Sequence, residues 1–344
     1  MIGMLLATQF FALMIMQPVF GFIADRVGKK PVILISMSVF AAGCYLMAGA
    51  PAIAYFAAGL FITGMGYGIS ESLTCAALVD IYQEKSERYA NLSQSLFSLG
   101  AVAGPLVAKQ IPAAVNTRLV FLITACGFLI LLPFFYMTPL PGPSIVKEKT
   151  KFNLRGGAAT PFILLLLTIF LYGVMETAAG GFFNSLFSIA LSAPQFGAYA
   201  ISIFWLGMGL SRIVFGLVRI SAKRVVAMCM LGCMVTFAVL GFSHSPAISL
   251  LLCAIAGFST GPVWAMLVSF AAKEYPAYSG TAVALMSTFG GLGATLGPIA
   301  IGWAAEYYSL HTAMILISVT VLIGIVVFNG YLRKGEAKNG KELS

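Results

Sequence analysis

The chain has 344 residues, of which 60% are hydrophobic and 9% are charged, and its mean hydropathy is +0.97. A water-soluble core cannot bury that much apolar surface, so the composition excludes a soluble protein and predicts an all-α polytopic membrane protein. The formal net charge of +9 does not indicate a nucleic-acid partner, because lysine and arginine collect on one side of membrane proteins. The six cysteines lie in apolar runs, which favours small buried hydrophobes over disulfides or metal ligands.

Apolar runs of bilayer length predict eleven membrane-spanning helices. They cover residues 2–24, 31–50, 53–78, 91–111, 119–138, 161–188, 195–218, 224–243, 246–271, 280–303 and 310–332. Of the 20 lysines and arginines, 17 then fall on one side of the membrane and only Lys109 and Arg118 on the other. This excess predicts a cytoplasmic C-terminus, an outside N-terminus and residence in a plasma membrane, which we expect to be a bacterial inner membrane.

The first two predicted helices are joined by a short charged turn. Asp25 lies at the end of the first helix, where an acid opposes the negative end of the helix dipole. It therefore needs a positive partner, which is either the basic residues of the turn or the N-terminus of another helix. Gly21, one turn earlier, would let a second backbone approach closely. An ordinary basic loop at the cytoplasmic surface is the simpler interpretation of the same turn.

Residues 21–30, with the sequence GFIADRVGKK, resemble the signature Gly-x-Leu-Ala-Asp-Arg-x-Gly-Arg/Lys-Arg/Lys of the major facilitator superfamily. Only Ile23 departs from it. The resemblance implies the fold of that family, with two pseudo-symmetric helical bundles around a midplane cavity, and transport by alternating access. It also implies a conformational latch made by Gly21, Asp25, Arg26, Gly28, Lys29 and Lys30. Arg212 lies in a segment similar to the second-half version of the signature, and we expect it to bind helix-end carbonyls or an acid in gating.

The two halves of the chain repeat at a near-constant offset. Gly64 precedes Gly257 by 193 residues, and Gly21 precedes Gly216 by 195. Duplicated halves are typical of secondary transporters. The predicted divisions are an N-terminal bundle (1–138, five helices), a cytoplasmic central loop (139–160), a C-terminal bundle (161–332, six helices) and a cytoplasmic tail (333–344). The span 161–188 has no counterpart in the first half, which implies that the family's first helix is missing; we expect a truncated sequence rather than a genuine eleven-helix form.

Two carboxylates, Glu71 and Glu176, lie deep in apolar spans. An ionised acid at that depth costs several kcal/mol unless it is paired or hydrated, so each is a candidate to bind a proton or the solute. A protonated acid that makes one structural hydrogen bond is the alternative. Further polar and aromatic side chains could line a solute cavity, although aromatic residues in membrane helices often serve packing alone: Gln9, Tyr67, Tyr172, Asn184, Trp205 and Trp264.

Residues 172–182 look like the seventh-helix pattern of the fucose and hexose proton symporters, and residues 64–72 resemble their fourth helix. The resemblance implies a proton-coupled transporter, and not an enzyme, for a small solute, with sugars as one candidate class and another cation as an alternative to the proton. The sequence contains no Walker A motif, so we do not expect this chain to use ATP as an energy source, and no cofactor is expected. We expect a monomer surrounded by lipid. Gly100 to Pro105 resembles part of an antiporter motif, so proton-coupled efflux of amphipathic compounds is one alternative; a non-transporting sensor or scaffold is another.

Overall fold

The computed structural model describes residues 2–110, 116–140, 142 and 159–342. These residues form twelve α-helices and no strand, which confirms the all-α class. The helices are α1 (Ile2–Val27), α2 (Lys29–Ala48), α3 (Ile53–Tyr82), α4 (Ser86–Gln110), α5 (Asn116–Met137), α6 (Thr160–Ser185), α7 (Gly197–Leu217), α8 (Ala222–Leu240), α9 (Pro246–Thr260), α10 (Val263–Glu274), α11 (Ser279–Tyr307) and α12 (Leu310–Glu342). Most of the predicted central loop, residues 141 and 143–158, lies outside the described residues.

Ten helical stretches within the described ranges are long and apolar enough to cross a membrane. One of them, Ile53–Ala103, has 51 residues and contains α3 and most of α4, separated by a 3-10 turn. At 1.5 Å per residue it measures roughly 75 Å, which is enough for two crossings of a core about 30 Å thick. If this stretch is counted as two spans, the ten stretches give eleven spans, in agreement with the prediction of about eleven.

One predicted span, 246–271, is interrupted. It contains α9 and α10, which are separated by Gly261 and Pro262. Proline has no backbone N–H and its ring clashes with the preceding turn, so it weakens a helix, and here the Gly-Pro pair coincides with the break between α9 and α10. The break exposes carbonyl groups at the end of α9 that need donors from elsewhere in the protein.

The described helices form two compact units. The first consists of Met1–Ser86, Gly104–Phe152 and Ala271–Thr288. Within it α3 packs against α1 and α2, and α2 packs against α5. Its core includes Ile33, Ile69 and Leu73, all fully buried or nearly so.

The second unit consists of Glu87–Ala103, Asn153–Phe270 and Phe289–Ser344. Within it α12 packs against α6 and α8, and α9 packs against α7 and α8. The buried rings of Phe204 and Phe237 lie 5.4 and 6.3 Å from the ring of Phe183. The first unit thus includes the start of α11, and the second includes most of α4; the division of the chain at the central loop stays a prediction.

The sequence repeat is visible in the way glycines bring helices together. A methyl group on Gly64 of α3 would collide with the carbonyl of Gln9 in α1. A methyl group on Gly257 of α9 would collide with the carbonyl of Phe204 in α7. Phe204 follows Gln9 by 195 residues, so the α1–α3 contact of the first unit is repeated as the α7–α9 contact of the second. Small residues at such contacts are what membrane helices need for close packing.

Candidate functional site

Asp25 is fully buried at the C-terminal end of α1, and the N-terminus of α11 binds it. The backbone N–H groups of Gly280 and Thr281 donate to Oδ1 and Oδ2 at 2.8 Å each, and the Thr281 hydroxyl donates to Oδ2 at 2.7 Å. A helix N-terminus combines free N–H donors with the positive end of the dipole, so it suits a carboxylate. Of the partners considered for Asp25, a helix N-terminus therefore makes the closest contacts.

Lys29 connects Asp25 to a second carboxylate. Its Nζ lies 3.7 Å from Asp25 Oδ1 and 2.6 Å from Asp80 Oδ2. Asp80, near the end of α3, also accepts a hydrogen bond from the hydroxyl of Ser279 at 2.7 Å. The ends of α1 and α3, the start of α2 and the start of α11 are thus joined by one polar network.

The other signature residues lie around this network. Arg26 is exposed, with its guanidinium 4.1 Å from the centre of the Phe22 ring, and Lys30 lies 5.4 Å from the ring of Tyr136. Both make cation–π contacts and neither binds Asp25. Gly28 has a φ angle of 96°, which only glycine adopts readily, and it lets α2 begin at once after α1.

Gly21 makes room for α11. A Cβ atom there would lie 2.7 Å from the Ala284 Cβ and 2.7 Å from the Gly280 carbonyl oxygen, closer than real side chains approach. The close backbone approach expected at this position is therefore present, and the helix that approaches is the one that binds Asp25. The role of these residues as a conformational latch stays a prediction.

Arg212 of α7 is 3% exposed and donates to two helices of the second unit. Its Nε donates to the carbonyl of Gly261, at the end of α9, at 2.9 Å. Its Nη1 donates to the carbonyl of Gln94 at 3.0 Å and to the hydroxyl of Ser98 at 2.7 Å, both in α4. The expected contact with a helix-end carbonyl is present, because the break after α9 leaves such carbonyls without helical donors. Gating by Arg212 stays a prediction.

Glu176 lies in the second half of α6 and is half-buried. Its Oε1 accepts a hydrogen bond from the hydroxyl of Tyr172 at 3.0 Å, and that hydroxyl also lies 3.4 Å from the carbonyl of Thr260. The Arg212 guanidinium is close enough to interact electrostatically with Glu176. The second unit therefore holds an acid, a tyrosine and an arginine around the end of α9, an arrangement that could bind and release a proton.

Glu71, Gln9 and Tyr67 belong to the first unit, and all three are half-buried. Glu71 follows Gly68 by three residues on the stripe of α3 that packs against α1. Whether Glu71, Gln9 or Tyr67 contacts a solute stays a prediction.

The remaining predicted cavity residues belong to the second unit and do not form one cluster there. Trp205 is half-buried, with its ring edge-on to Phe97 at 6.1 Å. Asn184 is exposed and lies against Gly197. Trp264 is half-buried in the first turn of α10. Of the predicted cavity residues in the second unit, Tyr172 donates a hydrogen bond to a predicted acid, Glu176.

Several residues of these networks were not singled out from the sequence. Thr281 and Ser279 carry no motif, because their partners are about 200 residues or more away along the chain. Gln17, which is buried and donates to the Gly68 carbonyl at 3.2 Å, was also missed. A signal for it was available, since an uncharged polar residue inside an apolar span needs a hydrogen-bond partner.

Comparisons with known proteins agree on one family. The model of the Major Facilitator Superfamily matches residues 1–187 and 164–344. The chain is 23% identical over 374 residues to the benzoate transport protein of Acinetobacter baylyi, and the match covers 94% of this chain and 80% of that protein. It is 32% identical to multidrug resistance protein D of Escherichia coli over 101 residues, which cover 29% of this chain but only 25% of that protein.

Among solved structures, the fucose:proton symporter FucP of Escherichia coli superposes with a TM-score of 0.81. The match covers 96% of this chain and 90% of that one, at 15% sequence identity. At this identity the likeness shows the fold alone.

Proposed function

The chain belongs to the major facilitator superfamily, whose members are transporters and not enzymes, and on that premise we propose that it moves a small organic solute across a membrane by alternating access coupled to protons. As a multi-pass membrane protein it needs a route for the solute through its helices and a way to couple that route to a gradient.

The observation that carries the proposal is the surroundings of Glu176. Its carboxyl group lies inside a membrane helix, accepts a hydrogen bond from the buried Tyr172 hydroxyl and interacts with the buried guanidinium of Arg212. Inside a membrane helix the ionised form of the acid is costly, and the Tyr172 hydroxyl supplies a hydrogen bond to it. A carboxyl group with a hydrogen-bond donor inside the membrane is suited to load and release a proton during a transport cycle.

The network around Asp25 supports the conformational part of the proposal. Its hydrogen bonds to Gly280 and Thr281 attach α1 to the start of α11, and Lys29 adds Asp80 to the same network. Because these contacts need both helices in one position, they would form in one state of the cycle and break in another. Asp25 would then set the rate of interconversion more than the affinity for the solute.

The solute class that we favour is a small molecule with hydrogen-bonding groups, with sugars as the first candidates. Half-buried Trp205 and Trp264 offer ring faces, and exposed Asn184 offers an amide. The fold is shared with a fucose:proton symporter. We place Asp25 and the C-terminus at the cytoplasmic face of a bacterial inner membrane, and we propose that the protein acts as a monomer.

The proposal is tested with purified full-length protein in lipid vesicles. Under an imposed pH gradient, uptake of labelled sugars and aromatic acids should exceed the uptake without the gradient. Glu176→Gln should abolish this gradient-driven accumulation and leave solute binding within about threefold, because the amide keeps the shape and loses the proton. Glu306→Gln is the matched control, since Glu306 is an exposed acid near the end of α11. Gradient-driven uptake by Glu176→Gln equal to that of the unmodified protein would reject the role of Glu176.

Proton-coupled efflux of amphipathic compounds is the second candidate. It is favoured by the local identity of 32% to multidrug resistance protein D. In vesicles with an inverted gradient, export of a fluorescent cationic dye without any sugar uptake would select efflux over import. Solute binding without movement in either direction would instead select a membrane sensor or scaffold.

A further inference from the structure

Gln17 of α1 and Arg212 of α7 occupy equivalent positions in the repeat. They are 195 residues apart, the offset that also relates Gly21 to Gly216. Gln17 Nε2 donates to the carbonyl of Gly68 at 3.2 Å, and Arg212 Nε donates to the carbonyl of Gly261 at 2.9 Å. The two side chains thus make the same bond in their two units.

The two side chains differ in the partners of their remaining hydrogen-bonding atoms. In the second unit the Arg212 guanidinium continues to α4, where it binds the carbonyl of Gln94. In the first unit Gln17 is 1% exposed, and its Oε1 accepts no hydrogen bond from the described residues. The residue 193 positions after Gln94 is Ser287 of α11, which is 7% exposed and whose hydroxyl also has no partner among them. Buried polar groups without partners destabilise the folded state, so a ligand that binds both would stabilise it.

The contacts between α1 and α11 place Gln17 and Ser287 at one level. Asp25 binds Thr281, Gly21 contacts Ala284, and the Met14 carbonyl accepts a hydrogen bond from Thr288. As the residue numbers in α1 fall from 25 to 14, the numbers of their partners in α11 rise from 281 to 288, so the two helices are antiparallel here.

Gln17 lies between Gly21 and Met14 in this series, and Ser287 lies between Ala284 and Thr288. Met14 adds another oxygen at this level, because Pro18, four residues later, cannot donate to its carbonyl.

Glu71 brings a carboxyl group to the same level. Gly64 contacts Gln9 and Gly68 contacts Leu13, so α3 runs parallel to α1 with an offset of 55 residues. This offset places Glu71 beside the turn of α1 that contains Gln17.

We infer that Gln17 and Ser287 are ligands of a buried site for a monovalent cation, Na⁺. In the first unit this cation takes the place that the Arg212 guanidinium has in the second unit. Amide, hydroxyl and backbone carbonyl oxygens are ligands for hard cations, and transporters use carbonyls of interrupted helices to coordinate Na⁺. The inference extends the proposed function by naming a second coupling ion, although binding of Na⁺ does not require transport.

The test measures binding, not transport. The Tm of the full-length protein in detergent is followed as NaCl replaces choline chloride at constant ionic strength, with KCl in parallel and ²²Na⁺ binding as a second readout. Na⁺ should raise the Tm saturably, because a ligand of the folded state stabilises it, whereas K⁺ and choline should not. A Tm that does not respond to Na⁺, together with no saturable ²²Na⁺ binding, would overturn the site.

Three variants locate the site. Ser287→Ala should weaken the apparent Na⁺ affinity roughly tenfold or more, as expected when a charged partner loses one ligand. Ser269→Ala is the control, because this buried serine donates only to the Ala265 carbonyl of its own helix. Gln17→Arg should make the Tm independent of Na⁺, since it places a guanidinium where the second unit has one. Equal Na⁺ affinity in all three variants would place any Na⁺ elsewhere and overturn the inference.

The outcomes separate this inference from the proposed function. Na⁺ binding that depends on Gln17 and Ser287 in a protein that moves no solute would leave the site standing and reject transport. Proton-driven solute uptake by a protein without Na⁺ binding would reject the site alone.

Discussion

The two units hold their buried charges in opposite ways. In the first, the carboxylate of Asp25 accepts hydrogen bonds from the N–H groups at the start of α11, where the helix dipole is positive. In the second, the guanidinium of Arg212 donates to the Gly261 carbonyl at the end of α9, where the dipole is negative. Each charge is therefore compensated by a helix end of opposite polarity. A charge held in this way depends on the position of a whole helix, so moving the helix exposes the charge.

Arg212→Lys should have the largest effect on stability. Lysine keeps the positive charge, but its single ammonium group cannot reach the Gly261 carbonyl and the Gln94 carbonyl together as the planar guanidinium does. At least one buried acceptor loses its donor, so we expect a loss of about 3 kcal/mol, seen as a lower Tm in detergent. Arg219→Lys, at an exposed position after α7, is the control. A Tm equal to that of this control would mean that the charge of Arg212 matters and its fork geometry does not.

The two repeat-equivalent glycines should respond unequally to alanine. At Gly21 the new methyl group would meet the Gly280 backbone at 2.7 Å, which can yield only if α11 moves. At Gly216 it would meet the Leu92 side chain at 2.9 Å, which can change its rotamer. We expect Gly21→Ala to cost about 2 kcal/mol and Gly216→Ala clearly less, measured as the difference in Tm between the two variants. The opposite order would show that α4, not α11, is the rigidly held helix.

Asp25→Asn should cost about 1.5 kcal/mol, because the amide carries no charge for the α11 dipole and has one acceptor oxygen instead of two. In vesicles, solute turnover should slow while the apparent solute affinity stays within about twofold, since Asp25 contacts helices and not solute. Arg26→Gln is the control from the same turn, because Arg26 contacts the Phe22 ring and not the network. Unchanged turnover in Asp25→Asn would reject the latch.

These networks also show how far the sequence could be interpreted. The spans follow from apolar length alone, and the need of Asp25 for a positive partner follows from its place at a helix end. The identity of that partner could not be predicted, because Thr281 is 256 residues away and no local pattern marks it. The break after α9 was predictable in principle, since a Gly-Pro pair inside a span disfavours a continuous helix, yet the apolar run concealed it.

In the candidate site, too, the local features could be predicted from the sequence and the contacts between distant helices could not. Glu176 could be singled out as a costly acid, and Tyr172 lies one turn before it, so their hydrogen bond is a local feature of α6. The carbonyls that surround them belong to α9, and only the folded chain brings them there. The partners of Asp80 could not be predicted, because a carboxylate near a loop looks solvated until Lys29 and Ser279 are placed beside it.

Thr177→Val should have the smallest effect on stability. It tests a contact that each unit makes at the carbonyl freed by a proline inside a helix. Pro298 of α11 cannot donate to the Ala294 carbonyl. The Thr177 hydroxyl of α6 lies 3.0 Å from that oxygen and 2.7 Å from the Gly173 carbonyl of its own helix. In the first unit Pro18 leaves the Met14 carbonyl in the same situation, and the Thr288 hydroxyl lies 3.3 Å from it. Such bonds between membrane helices average about 0.6 kcal/mol, so Thr177→Val should lower the Tm slightly, and Thr288→Val should lower it less because its bond is longer.

Thr168→Val is the control for both variants, since the buried Thr168 hydroxyl of α6 donates only to the Leu164 carbonyl of its own helix. If Thr168→Val lowers the Tm as much as Thr177→Val does, the loss comes from the helix itself and not from the carbonyl that Pro298 frees. If Thr288→Val has the larger effect of the two, the start of α11 depends on α1 more than its later turns depend on α6. The hydroxyl contact would then act together with Asp25, and the double variant Asp25→Asn with Thr288→Val should be destabilised by more than the sum of the single changes.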